Sequence, residues 1–140
     1  MKNYGSTFEY EDKRNRELLK AYRDEVANAS FVRRDVILRK VVNRPASRFW
    51  VSEERAAIVM ASMMRGDSLA NMRPLKREMF CEIYRRFLLL KQQHPQASIY
   101  RLASMAVNQP APKFYLTPGS AKVILSKIRR SWYEKRKLKH

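Results

Sequence analysis

The chain has 140 residues, 45% of them hydrophobic, and sets 30 Lys and Arg against 13 Asp and Glu for a net charge of +17. That length fits one domain with a modest core, the apolar content excludes disorder of the whole chain, and no apolar run approaches the roughly 20 residues that span a bilayer. The charge exceeds the magnitude of about 2–8 that solubility asks of a small domain, so it points to a polyanionic partner, nucleic acid first and no membrane.

Residues 1–28 carry six basic and six acidic side chains and form a neutral N-terminal unit. Residues 29–140 carry 24 basic and 7 acidic, and 24 − 7 = 17, so the whole excess lies in this second, basic unit. The N-terminus shows no hydrophobic signal region, which predicts a cytoplasmic protein. Residues 1–7 read as a loose tail. Residues 8–28 predict a helix, with Leu18, Leu19, Tyr22 and Val26 at helical spacing and Glu9, Glu11 and Asp12 at its positive end. Being neutral, this helix is the least expected to touch a polyanion; it suits packing, homo-oligomerisation or a protein partner.

Residues 31–42 predict a second helix, although their β-branched content also allows a strand. Residues 52–65 predict a third, with Glu53 and Glu54 in its first turn and Gly66 at its end. After a connector at 66–73, Pro74 opens the longest helix, 74–93, whose stripe of Leu75, Met79, Ile83, Phe87 and Leu90 suits a central packing element. Arg85 and Arg86 read as a solvated face there, and Cys81, among apolar neighbours, as a small core residue. A single cysteine excludes an internal disulfide and a cysteine metal cluster. Residues 97–107 and 117–138 predict the last two helices. The end of the latter is a basic run in which residues 121–140 hold eight basic side chains against one acid, Glu134.

One phrase occurs twice. Residues 42–52 read VNRPASRFWVS and residues 107–117 read VNQPAPKFYLT, an ungapped offset of 65 with five of eleven positions identical. We read this as an internal duplication of a helix–loop–helix unit, spanning 31–65 and 97–130. In each copy Pro blocks continuation of the first helix, and a Ser or Thr N-cap opens the second. The shape is helix-turn-helix-like, with a loop of about nine residues in place of the usual three or four.

Catalysis finds little support. The two histidines, His94 and His140, lie in no metal-ligand spacing, and the three glycines form no phosphate loop. No metal and no cofactor is expected, and the acidic clusters follow helix polarity.

The paired loops are the stronger candidate. Arg48 precedes Phe49 and Trp50, and Lys113 precedes Phe114 and Tyr115, which places a cation for phosphate beside a ring able to stack. Phe49 and Phe114 read as core plugs. In the second unit Lys122, Lys127, Arg129 and Arg130 add exposed charge, and Lys135, Arg136, Lys137 and Lys139 continue it as an electrostatic arm.

The repeated phrase VN[RQ]PA[SP][RK]F[WY][VL][ST] resembles one in small, basic proteins of bacterial prophages and other mobile elements. The resemblance implies phage or mobile-element DNA handling and a nucleoid or phage-associated setting. The expectation is thus an all-α fold of about six helices, two pseudo-repeated helix–loop–helix units around a central long helix. Its expected function is non-enzymatic binding of nucleic acid, duplex DNA before RNA. A structural or adaptor protein of a virion or ribonucleoprotein, neutralising a polyanion, is the alternative.

Overall fold

The computed structural model describes residues 9–138. The expected tail at 1–7, the start of the first helix at residue 8, Lys139 and His140 lie outside the described residues. Among these, the fold is all-α, with six helices: α1 (Glu11–Asn28), α2 (Arg34–Val42), α3 (Glu53–Met64), α4 (Pro74–Gln93), α5 (Ile99–Val107) and α6 (Pro118–Leu138). The strand alternative for 31–42 is not adopted.

Local chemistry sets the ends. Ser52 Oγ accepts from Arg55 N–H at 3.0 Å and opens α3; Ser98 Oγ accepts from Arg101 N–H at 3.1 Å and opens α5. Thr117 Oγ1 does the same for Ser120 N–H at 3.0 Å in α6. Each is an N-cap that satisfies one of the orphan donors of a first turn. Helix α2 begins at Arg34, later than expected, because no side chain caps it and Arg33 is extended at φ −120°. Phe31 and Val32 are left exposed. Gly66, at φ +99°, follows α3 in a conformation that glycine adopts without strain.

Helix bounds recur at the offset of the repeated phrase: α2 and α5 both run nine residues, from 34 and from 99, and α3 and α6 begin at 53 and 118. The two loops meet face to face. Ala46 and Ala111, equivalent in the phrase, form an isolated antiparallel bridge, with Ala46 N–H donating to Ala111 O at 3.0 Å and Ala111 N–H to Ala46 O at 2.9 Å. Phe49 N–H donates to Val107 O, and Phe114 N–H to Val42 O, each at 3.0 Å. Asn43 and Asn108 side chains cap their own helices by donating to Arg39 O and Ser104 O. These are three pairs of equivalent bonds related by one exchange of the two loops.

The helices exchange as well. Helix α3 packs on α5 and α2 packs on α6, whereas α2 does not pack on α3, nor α5 on α6. A helix-turn-helix needs its two helices packed on each other across a short turn. The helix-turn-helix-like expectation is therefore corrected: each long loop carries its second helix away to the opposite unit. Helix α4 packs on α3 and α5 alone, and α1 packs on α2 and α6. So the long helix flanks one side, and the paired loops hold the centre. Phe49, Phe80, Phe87, Phe114, Leu18, Met60 and Ile83 fill the core. Cys81 is exposed, a correction, since one step of 100° turns it from buried Phe80 toward solvent.

Candidate nucleic-acid interface

The expected site residues fall into two groups. Those of the loops turn inward. Arg48 is only 8% exposed, and its guanidinium donates to the carbonyls of Phe49 (2.9 Å) and Val51 while lying 5.6 Å from the Tyr10 ring centroid. Burial pulls its pKa down. It is a strut across its own loop, and the expectation of a phosphate contact there is corrected. Trp50 is 7% exposed, 6.1 Å from the Tyr10 ring and 6.0 Å from Phe114, so it has no free face for a base. Its Nε1–H is buried without an acceptor among the described residues, a deficit of about 1–3 kcal/mol.

The second loop repeats this pattern with different partners. Lys113 is paired to Glu78 at 2.7 Å and sits 5.3 Å from the Tyr115 ring, so its charge is neutralised. Tyr115 stacks on buried Phe49 at 5.9 Å, and burial, reinforced by Glu82 and Glu78, pushes its hydroxyl up to about 12. Neither serves the expected phosphate or stacking contact. Phe49 and Phe114, at 0% and 2% exposure, are the expected core plugs. Arg86, expected on a solvated face, instead holds Glu82 at 2.8 Å and the Pro110 carbonyl, with its guanidinium 4.9 Å from the Phe49 ring.

Glu53, at the start of α3, accepts from Asn108 Nδ2 at 2.8 Å and from Tyr100 Oη at 3.3 Å. Burial acts to raise its pKa, but hydrogen bonds from Asn108, Ser104 and Tyr100 outweigh it, and the net shift is downward. Helix α3 is thereby tied into the α5 contact rather than presented as a reading helix.

The residues of α6 turn outward. Lys122, Lys127, Arg129, Arg130, Lys135, Arg136 and Lys137 are all exposed, and from Arg129 to Leu138 every residue is. Of its 21 residues, only Ala121 is buried. At 1.5 Å per residue the helix is about 31 Å long. Its core contact ends after two to three turns, because only α1 and α2 flank it.

Between α1, α2 and α6 lies a cleft of about 360 Å³ with an apolar lining that includes Leu19, Tyr22, Leu38, Leu125, Ile128 and Trp132. Four exposed cations also line it: Arg23 from α1, Arg34 from α2, Lys122 and Arg129 from α6. No acidic side chain lines it, and none of the four has an ion pair among the described residues. Three of the five acids of α1 are engaged elsewhere. Asp24 and Glu25 hold Arg44 at 3.6 and 3.5 Å, Asp24 also holds Lys20, and Glu17 accepts from the Ser47 N–H and hydroxyl. A helix neutral in sum therefore presents a bare cation, Arg23, to the cleft.

In the lining of the same cleft, Trp132 and Tyr133 are 53% and 55% exposed, 5.3 Å apart edge to face, and Arg136 lies 4.6 Å over Trp132. Helical spacing after Leu125 and Ile128 predicts a buried Trp132, and the ring is instead exposed, while the spacing singles out neither Tyr133 nor Arg23. The available signal was weak: Arg23 follows Tyr22 and stands four residues after Leu19, the spacing of one helix face.

Among the described residues no helix is long and apolar enough to cross a membrane, and no three His, Cys, Asp or Glu side chains gather as a metal site. Comparison with known protein families, curated proteins and solved structures finds no match to this chain.

Proposed function

We propose that this chain is a non-enzymatic nucleic-acid-binding protein whose interface is the α1–α2–α6 face with the free end of α6. The observation that carries the reading is the convergence of Arg23, Arg34, Lys122 and Arg129, from three helices, on one cleft without a counter-charge. Like charges repel, and a surface that gathers them without acids suits a polyanion that releases its counterions on binding. The end of α6, with Lys127, Arg130, Lys135, Arg136 and Lys137, extends the charge along a single helix, and a single helix fits the major groove of duplex DNA. Duplex DNA is accordingly the first ligand in this proposal. A cytoplasmic setting, at the nucleoid or with a phage, belongs to the same proposal.

A second reading, single-stranded nucleic acid or RNA, is favoured by one observation: the two half-exposed rings, Trp132 and Tyr133, among cations. Rings of this kind stack on unpaired bases at about 1–3 kcal/mol each. The test is a salt titration of affinity for random duplex DNA, single-stranded DNA and structured RNA of equal length. Steep salt dependence with preference for the duplex is the expected result. Preference for the unpaired ligands transfers the proposal to the second reading, and weak, equal binding to all three rejects both in favour of an adaptor that needs a protein partner.

A further inference from the structure

A second cleft, of about 590 Å³, lies on another face, where the starts of α4 and α6 come together near the start of α1. Its lining includes Arg14, Arg73 and Lys76, together with Thr117 and Ser120, and contains no acidic side chain. None of the three cations has an ion pair among the described residues; Arg14 donates to its neighbour Asn15 Oδ1 at 3.1 Å and lies 5.9 Å from the Tyr10 ring. Helix α4 is 20 residues long, starts with Pro74, and has no side chain capping its first turn. Its free amides and positive dipole end therefore face the cleft without a partner from the chain. Trp50 also lines this cleft, and its buried indole N–H is the one buried side-chain polar atom without a partner among the described residues.

We propose that this cleft is a phosphate-binding site, in which Arg73, Lys76 and Arg14 supply charge, the α4 start and the Ser120 hydroxyl supply hydrogen bonds, and the Trp50 side chain forms part of the wall, so that its indole N–H signal reports on an anion beside it. A tetrahedral oxyanion suits the site because the donors arrive from three helices and a loop, and each phosphate oxygen accepts more than one bond. The ligand is either free inorganic phosphate or a phosphate of a nucleic-acid backbone; the chemistry is shared. The inference does not rest on the α6 interface, which uses other residues.

The experiment is an NMR titration of the full chain, labelled with 15N. With two tryptophans in the sequence there are two indole N–H signals, and Trp132→Phe identifies that of Trp50. Sodium phosphate is expected to move the Trp50 signal saturably, while sodium chloride at equal ionic strength leaves it in place. The double variant Arg73→Gln/Lys76→Gln changes two exposed side chains and keeps the fold; it is expected to weaken the phosphate response about tenfold, the size of a lost charge-assisted bond. An equal response to chloride, or an unchanged phosphate response in the double variant, overturns the proposal. A short duplex that moves the same signal and competes with phosphate assigns the anion to a nucleic-acid backbone. A duplex that leaves the signal untouched, with the phosphate response intact, assigns it to the free ion. If no nucleic acid binds at all, the α6 reading fails while the phosphate titration still stands or falls alone.

Discussion

Tyr115 shows how a side chain chosen for its surface chemistry can belong to the interior. Its backbone is in the left-handed region at φ +56°, an uncommon conformation for a residue with a Cβ, and its ring stacks on Phe49. The hydroxyl is raised from 10.0 to about 12, by burial first and then by Glu82 and Glu78. A folded-state pKa above the unfolded one means that the native state holds the proton more tightly, so this contribution to stability is complete below about pH 10 and declines as pH rises toward 12. Thermal melts from pH 9 to 12 are expected to show a steeper loss for the parent chain than for Tyr115→Phe, which has no proton to lose. Identical slopes would show that Tyr115 ionises as freely in the native state as in the unfolded one. The sequence pattern around Tyr115, a cation followed by two rings, is the same in a stacking platform and in a plugged loop. Spacing alone does not separate the two, because the choice depends on Glu78, Glu82 and Arg86, which α4 brings from more than twenty residues away.

At the scale of elements, the helices were legible and their partners were not. Helical period, Pro74, the Ser52 and Thr117 caps and Gly66 are local signals, and they placed six helices to within a few residues at each end. The pairing of α3 with α5 and of α2 with α6 is set by the two loops, where the decisive bonds run between backbone atoms of Ala46 and Ala111. Alanine carries no mark of a bridge in its side chain, so nothing in the pattern announced it. The bridge is nonetheless testable. Ala46→Pro removes the N–H that donates to Ala111 O, and Ala111→Pro removes the reciprocal donor. Each is expected to lower stability by about 1–3 kcal/mol, the cost of a buried acceptor left unpaired, before any backbone strain is added. Urea unfolding of both variants measures it; one unaffected variant would mean that the two halves of the bridge are not equivalent.

For the molecule as a whole, charge was the most legible property and its distribution the least. The basic excess was visible from counting, and the exposed run of α6 followed from it. The cleft was not visible, because it needs Arg23 from the neutral N-terminal stretch, and Arg23 is bare only because Asp24 and Glu25 are held by Arg44. Under the proposed function, Arg23→Ala/Arg34→Ala is expected to reduce the log–log salt slope for duplex binding by about one unit per lost phosphate contact, as much per residue as Arg129→Ala/Arg130→Ala. A slope altered by the α6 pair alone would confine the interface to that helix.

The exchanged packing has a consequence for how the chain comes apart. Since α2 rests on α6 and α3 on α5, neither helix–loop–helix unit contains its own interior, and the first to be synthesised has only α1, against α2, on which to close. A chain nicked in the connector 66–73 would leave two fragments, one keeping α1 on α2 and the other α4 on α5, while α3 on α5, α2 on α6, α1 on α6 and α3 on α4 would all have to form between them. Such fragments are expected to associate and restore the fold when mixed, which the helicity of the mixture against that of each fragment alone would check; fragments that stay apart would make the connector part of what holds the shape.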